Sequence, residues 1–519
     1  MPDVLTNAPG SAARSQLRNV LSNWGAFAFA AVVNFALAPL VVRALGDSAY
    51  GVWSLLVSLT GYLGLLDLGV RGAVTRYVAN FHSRSQHAEA GRLASAALLI
   101  FSVAGLLALI GSAALAVVVS ELFRLPEELT TAARVVLLIG GVNVAISLVS
   151  GVFGGIVVGR ERFDYNNLTE IVIGALRAVA IVSALKTGRG LVALASIQLA
   201  ASLLRGVASW WLSRRLYPEL RVRLGEWDRD CAALIFSFGL TSFLLNAMGS
   251  IILYSDSLVI GAFLPVGMIT FFAIAANLTE YARALISGIS HTVMPRASAL
   301  EAVGQQQQLQ EALLHGARLA VLVISPIVIT FLLRGASFIQ LWMGPEYVER
   351  AGAVLQILSL SLWSLAAYQI VTATTMGMGR QQSLIPVFVA EALLNLALSI
   401  VWVRRYGILG VAWGTTVPRL AASLLFAPWF VRNTLGVPAR RFWLHVVVRP
   451  LVAVALFAAG SYAVEQLWPA SSLLLYFVQV GATLPLALVG VWIFGLTTRE
   501  RQTCVALLSP YLRGVFGSS

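Results

Sequence analysis

The chain has 519 residues, of which 58% are hydrophobic and 11% are charged, and its mean hydropathy is +0.83. Soluble globular proteins carry about 25% charged residues, so this composition excludes a soluble globular protein and indicates one that crosses a membrane many times. In a soluble protein the net charge of +13 would suggest nucleic-acid binding; here we assign it to loops at the cytoplasmic face and to anionic lipid headgroups, and we expect no nucleic-acid partner.

Apolar runs of spanning length recur along the whole chain and predict an all-α protein. A helix needs about 20 apolar residues to cross the hydrocarbon core. We place fourteen transmembrane helices, at residues 24–42, 50–70, 93–119, 132–158, 168–185, 191–212, 234–262, 266–289, 319–333, 351–375, 384–403, 409–431, 446–464 and 473–496.

The distribution of basic residues orients the predicted helices. With the N-terminus in the cytoplasm, 23 of the 36 Lys and Arg residues lie on that side. Nine lie in outside loops, namely Arg43, Arg124, Arg134, Lys186, Arg189, Arg334, Arg350, Arg404 and Arg405. Because cytoplasmic loops are enriched in Lys and Arg, we predict that both termini are cytoplasmic.

Other residue types exclude several kinds of site. Cys231 and Cys504 both fall on the predicted cytoplasmic side, so neither a disulfide nor a cysteine metal site is expected. The five histidines form no metal-spaced cluster, and we therefore predict no metal site. No glycine-rich phosphate loop is present, so we expect no cofactor and no direct use of ATP.

A short internal repeat predicts two related halves. Residues 155–161 align with 375–381, and a span that carries an acid, Glu170 or Glu391, follows each. We predict two six-helix lobes with a substrate cavity between them, because parallel repeats of this kind enclose one. The predicted divisions are a cytoplasmic segment 1–22, a lobe 23–215, a linker 216–233, a lobe 234–431, two further helices in 446–496 and a cytoplasmic tail 497–519.

Several short motifs resemble one transporter family. They comprise the early run 17–42, then Leu45-Gly46, Tyr50-Gly51, Asp67-Leu68-Gly69 and Arg76-Tyr77-Val78-Ala79. With the fourteen-helix layout, they are similar to the polysaccharide transporter (Wzx-type oligosaccharide flippase) family of the multidrug/oligosaccharidyl-lipid/polysaccharide superfamily.

The resemblance implies a function. It implies a flippase, not an enzyme, in the bacterial cytoplasmic (inner) membrane, which moves an undecaprenyl-(pyro)phosphate-linked oligosaccharide outward by alternating access. Membrane lipid, the lipid-linked oligosaccharide, and a glycan polymerase and chain-length regulator of the same pathway are the implied partners.

A pyrophosphate lipid requires cations within the membrane, and arginine binds phosphate oxygens with a planar, permanently charged fork. We therefore predict that the substrate contacts Arg177, Arg205, Arg283 and Arg419, with Arg71 as a first contact at the cytoplasmic mouth. The alternative is that each arginine is neutralised by a nearby acid, and it is strongest for Arg283, three residues after Glu280.

Two intramembrane acids are candidates for coupling transport to an ion gradient. Asp256 and Glu391 have no base within four residues, so we predict that they bind H⁺ or Na⁺. Pairing with a base on another helix is the alternative, and it would give the same sequence pattern.

Two other functions remain open. A cation-coupled multidrug-type antiporter of the same superfamily usually has twelve spans, so the last two helices and an arginine-lined cavity disfavour it. A membrane glycan polymerase would place substantial loops outside the membrane, whereas the outside loops predicted here are short.

Overall fold

We describe the fold from a computed structural model, in which residues 9–223, 228–497 and 500–502 are described. These residues form helices and contain no β-strand, which confirms the all-α prediction. Cys504 and most of the predicted tail 497–519 lie outside the described residues. The chain divides into two compact units, Met1–Thr270 and Phe271–Ser519.

The first unit consists of eight helices, most of them long and apolar. They are α1 (Pro9–Leu45), α2 (Asp47–Leu63), α3 (Val70–Ser83), α4 (His87–Leu122), α5 (Glu127–Gly159), α6 (Phe163–Lys186), α7 (Leu191–Leu216) and α8 (Arg229–Phe263). Small and aliphatic residues of α3, α4 and α5, such as Val74, Ala97 and Val152, form its buried core. Small side chains allow membrane helices to approach closely.

The second unit contains the remaining helices. They are α9 (Met268–Ala302), α10 (Gln306–Trp342), α11 (Ala353–Gly377), α12 (Ile385–Ala421), α13 (Ala427–Leu435), α14 (Ala439–Phe442), α15 (Arg449–Ala453), α16 (Ala455–Leu467) and α17 (Leu473–Gly490). Single π-helical turns border several of them, at Val348–Gly352, Ala422–Phe426, Trp443–Val448 and Val491–Gly495. Its core lies around α10 and α11.

Within the described residues, twelve stretches are long and apolar enough to cross a membrane. One of them, Gln381–Leu435, has 55 residues and reverses direction at Gly407 (φ 60°). The Asn395 amide donates to Thr415 Oγ1 at 2.8 Å across this reversal, so the stretch contains two antiparallel helices. The 35-residue helix α9 is not among the twelve. The total of fourteen therefore stays a prediction.

The predicted second span, 50–70, is not one continuous helix. Helix α2 ends at Leu63, one 3₁₀ turn follows, and Leu68 (φ 50°) and Gly69 (φ 77°) are left-handed before α3 begins. Helix α8 crosses closely at this break, where a Cβ on Gly69 would lie 2.9 Å from the Gly239 Cα. A candidate membrane span is present at Asp47–Asp67, so only the predicted end at Val70 is corrected. The break was not predicted because a close backbone crossing between remote segments has no local sequence signal.

Replacing Gly69 by alanine should destabilise the protein. An L-residue in the left-handed region costs about 1–2 kcal/mol, and the contact with Gly239 adds to that cost. We expect Gly69→Ala to lower the thermal unfolding temperature in detergent. Gly64→Ala is the matched control, because a Cβ at Gly64 meets nothing within 4 Å. Equal unfolding temperatures for the two variants would contradict this account of the break.

The unit boundary differs from the predicted lobe boundary. The predicted linker is 216–233, whereas α8 belongs to the first unit. Helix α2 and the residues that follow α8 approach so closely that a Cβ on Gly51 would lie 2.2 Å from the Val266 carbonyl oxygen. Helix α8 itself contacts the first unit at Gly239, against Leu68 and Gly69, and it belongs to that unit. The two six-helix lobes, which rest on the sequence repeat, stay a prediction.

A buried ion pair connects α10 to the last two helices. The prediction that Arg334 lies in an outside loop was wrong, because α10 continues to Trp342 and the Arg334 side chain is 0% exposed. Its Nε donates to Glu465 Oε2 at 2.6 Å, its Nη2 donates to Gln479 Oε1, and its guanidinium lies 4.6 Å from the ring centre of Tyr476. Arg334 thereby attaches α16 and α17 to α10.

Candidate substrate-binding arginines

The first group of intramembrane polar residues lies on α6. Asn167, Glu170 and Arg177 are spaced by three and seven residues, so they share one helix face. Asn167 donates to Ser22 Oγ at 3.0 Å at one end of this face. Glu170 and Arg177 contact different helices, which confirms the prediction that they do not bridge each other.

Arg177 is held by neutral groups. Its Nη1 donates to Gln198 Oε1 on α7 at 3.1 Å, and its Nη2 donates to Asn34 Oδ1 on α1 at 3.2 Å. Its Nε is buried and has no hydrogen-bond partner among the described residues. An amide oxygen orients a guanidinium without neutralising it, so Arg177 keeps a full positive charge inside a membrane-spanning helix.

Arg205 on α7 is paired. Its Nε and Nη2 donate to the two carboxylate oxygens of Glu170 at 2.6 and 3.0 Å, which is the bidentate geometry that arginine and carboxylate prefer. Both side chains are more than a third exposed in the absence of lipid. Arg177, Arg205 and Glu170 together carry one net positive charge.

Arg71 and Arg283 each pair with an acid three or four residues earlier in the sequence. Arg71 Nε lies 3.3 Å from Asp67 Oδ2, and its Nη2 donates to the Ser147 carbonyl oxygen at 3.2 Å. Arg283 forms a bidentate pair with Glu280, one turn earlier on α9. This is the neutralisation by a nearby acid that we weighed against substrate binding for Arg283.

Arg419 and Glu391 pair across the α12 hairpin. Arg419 Nε lies 3.5 Å from Glu391 Oε1, and Glu391 is 5% exposed. This is the helix-to-helix pairing that we weighed against ion coupling for Glu391. Asp256 on α8 is also buried, at 6% exposure, and lies within electrostatic range of Tyr62. Ion binding by Asp256 and by Glu391 stays a prediction.

The five predicted arginines therefore fall into two classes. Among the described residues, Arg71, Arg205, Arg283 and Arg419 have a carboxylate within 4.0 Å, whereas Arg177 has only neutral partners. Gln198, a partner of Arg177, was not predicted from the sequence. It is a lone amide in an apolar span, seven residues before Arg205 and hence near the same helix face, and that position could have indicated its role. Whether any of the five contacts substrate stays a prediction.

A second polar cluster lies outside the spans of the first unit. The His87 ring Nδ1 is 2.7 Å from the Tyr217 hydroxyl, and the His82 and Tyr217 ring centres are 4.9 Å apart. The Arg160 guanidinium carbon lies over the Tyr217 ring, 5.3 Å from its centre. Burial, the Arg160 charge and His87 together lower the pKa of His82 below its ordinary value of 6.5. The cluster therefore favours neutral His82.

Lowering the pH should weaken this cluster. Because the folded protein binds a proton at His82 less readily than the unfolded chain does, stability is lost as the pH falls below about 6.5. We expect His82→Asn to reduce the slope of unfolding temperature against pH between about 7 and 5. The exposed His291 provides the control variant, His291→Asn. An unchanged slope in His82→Asn would contradict the assignment.

The helices and their internal charges define a class of protein. Many long apolar helices with ion pairs and one arginine held only by neutral groups are typical of multi-pass membrane transporters. The family described as "Polysaccharide biosynthesis protein" matches residues 16–301, more than half of the chain, and the chain belongs to that family. The resemblance to the Wzx-type flippase family is thereby confirmed.

Curated relatives are distant but cover most of the chain. The "Putative O-antigen transporter" of Shigella flexneri is 22% identical over 432 residues, which cover 80% of this chain and 98% of the relative. The "Probable flippase AglR" of Haloferax volcanii is 22% identical over 389 residues, which cover 74% of this chain and 77% of the relative.

Solved structures share the fold. The structure titled "Lipid II flippase MurJ, inward closed conformation" matches with a TM-score of 0.70 at 14% identity, and covers 92% of this chain and 98% of its own. An inward-facing multidrug resistance MATE family transporter matches with a TM-score of 0.69 at 17% identity, and covers 78% of this chain and 94% of its own. At these identities the matches establish the fold alone.

Proposed function

We propose that this protein is a flippase that moves a lipid-linked oligosaccharide from the cytoplasmic to the outer leaflet of a bacterial inner membrane. The observation that carries the proposal is Arg177, a cation in a membrane-spanning helix whose hydrogen-bond partners are the amides of Asn34 and Gln198. Such a cation is costly to hold in a bilayer without an anion, and a phosphate group of the lipid would supply that anion.

The electrostatics of the first unit support a phosphate ligand. Glu170 pairs with Arg205, and Arg177 has no carboxylate partner of its own among the described residues, so the three side chains keep one net positive charge. A cationic drug would be repelled by this group, whereas a diphosphate would be attracted. We therefore favour the lipid-linked oligosaccharide over the cation-coupled antiporter.

The relatives support the same choice. Two of them are named a transporter of O-antigen and a flippase. The match to the lipid II flippase extends over 92% of this chain, against 78% for the multidrug transporter, so the flippase fold accounts for more of the sequence. Neither of these two relatives is named a glycan polymerase.

The finer features of the proposal come from the sequence. We propose an undecaprenyl-(pyro)phosphate carrier, an arginine-lined cavity, alternating access to the two sides of the membrane, and both termini in the cytoplasm. Asp256 and Glu391 remain the candidates for H⁺ or Na⁺ coupling. A glycan polymerase and a chain-length regulator of the same pathway remain the proposed protein partners.

Deletion of the gene tests the proposal in cells. We expect lipid-linked repeat units to accumulate on the inner leaflet and surface polysaccharide to be lost. If single units still reach the outer leaflet and only the polymer is missing, the protein is the polymerase. If glycan export is normal while drug sensitivity rises, the antiporter function is correct and the flippase proposal fails.

A further inference from the structure

A cavity of about 430 Å³ lies where α15 begins and the π-helical turn after α17 ends. It is lined by Val448, Arg449, Val452, Ile493, Phe494, Leu496, Thr497 and Arg501. The α16–α17 hairpin turns at the opposite end of these helices, so the cavity lies at the end that the arginine distribution assigns to the cytoplasm. The lining residues that are described include two arginines and no acid.

Both arginines have buried nitrogen atoms without partners. Arg449 Nη1 and Arg501 Nε are inaccessible to solvent and make no hydrogen bond to any described residue. Arg501 Nη2 donates to the carbonyl oxygens of Ile493 at 2.5 Å and Leu496 at 3.4 Å, which fixes its guanidinium at the end of the helix. A buried donor without an acceptor is costly, so an anionic group placed against these two guanidiniums would be stabilised there.

The carboxylate next to Arg501 in the sequence, that of Glu500, is engaged with other groups. Glu500 accepts from the Thr497 backbone N–H at 2.7 Å, lies 2.7 Å from His315 Nε2, and pairs with the buried Arg318. Although burial acts to raise it, the pKa of Glu500 is lowered by these hydrogen bonds and charges. Glu500 thus stays ionised and satisfied without either cavity arginine.

The rim of the cavity is apolar and exposed. Val448, Val452, Ile493 and Phe494 are each between 43% and 46% exposed. In a membrane-spanning protein such side chains face acyl chains, so the cavity combines two cations with an open hydrocarbon side. Free inorganic phosphate would use the arginines and leave this rim unused.

We propose that this cavity binds an anionic phospholipid, with its phosphodiester on Arg449 and Arg501 and its acyl chains along the apolar rim. The site lies at the start of α15 and on the residues that follow α17, and it does not include Arg177. It is independent of the proposed transport function and holds a lipid as a bound component of the protein.

Lipid titration of the purified protein tests this site. We expect phosphatidylglycerol to raise the unfolding temperature and to remain bound in native mass spectrometry, while phosphatidylcholine of the same acyl composition does neither. Arg449→Gln and Arg501→Gln should each weaken phosphatidylglycerol binding roughly tenfold or more, since each removes a charge-assisted contact. The exposed Arg440 provides the control variant, Arg440→Gln, which should bind as the wild type does.

Lysine variants and competition with inorganic phosphate complete the test. If a glutamine variant fails to fold, Arg449→Lys and Arg501→Lys retain the charge, and loss of the planar fork should still weaken binding several-fold. Unchanged phosphatidylglycerol binding in the cavity variants, or equal binding of phosphatidylcholine, would overturn the proposal. Full displacement of the lipid by an equal concentration of inorganic phosphate would also overturn it, because a free anion would then be the ligand.

Discussion

Arg177→Gln is expected to reduce export of the oligosaccharide strongly while the protein still folds and inserts. The partners of Arg177 are the neutral side chains of Asn34 and Gln198, so replacing it by glutamine leaves no unpaired charge beside them. What is lost is a charge-assisted contact to the substrate phosphate, worth about 1.5–3 kcal/mol per hydrogen bond, which lowers transport by roughly ten- to a hundredfold. Export is measured as surface polysaccharide per unit of membrane-inserted protein.

A matched control separates substrate contact from loss of any membrane arginine. The double variant Glu280→Gln, Arg283→Gln removes a complete ion pair from α9 and leaves no unpaired charge. We expect its transport to remain near the wild-type level. Charge reversal is the harsher test, and normal export with both Arg177→Glu and Arg205→Glu would refute phosphate binding by these helices.

Arg334→Met is expected to cause the largest loss of stability. Arg334 is fully buried, and its removal leaves Glu465 at 15% exposure without a counter-charge and Gln479 without its donor. Breaking one partner of a buried pair costs about 3–5 kcal/mol. Thermal unfolding in detergent measures the loss, and limited proteolysis in the turn between α16 and α17 should show that these helices detach.

The double variant Arg334→Met, Glu465→Leu provides the control for that result. Removing both charges together eliminates the unpaired carboxylate, and apolar replacements of buried pairs are often neutral or stabilising. We expect the double variant to recover most of the stability that Arg334→Met loses. If the double variant is as unstable as the single one, the ion pair is not the cause.

The parts of the fold that depend on local composition were predictable. Long apolar runs predicted the helices, and the spacing of Glu280 and Arg283 predicted their pair. The pairing of Glu391 with Arg419 depends on the reversal at Gly407, and that of Arg334 with Glu465 joins helices 131 residues apart. Such contacts depend on how the helices pack against each other, and the spacing of residues along the sequence does not predict that packing.

In the candidate site, too, local composition was predictable and contacts between helices were not. The sequence identified Arg177 as an intramembrane cation, because a charge in an apolar run is visible directly. It did not distinguish Arg177 from Arg205, since the choice depends on which of them faces Glu170 across the α6–α7 contact. The left-handed break at Leu68 and Gly69 was likewise missed, although the Gly-containing motif that surrounds it helped to identify the family.

Translocation by the purified protein tests the central claim most directly. The protein is reconstituted in liposomes with a lipid-linked oligosaccharide, and a membrane-impermeant glycosidase reports which fraction of the glycan faces outward over time. We predict that wild-type protein and the Glu280→Gln, Arg283→Gln variant equilibrate the glycan between leaflets at similar rates, whereas Arg177→Gln does so roughly ten- to a hundredfold more slowly. Equal rates for wild-type and Arg177→Gln protein would contradict the account.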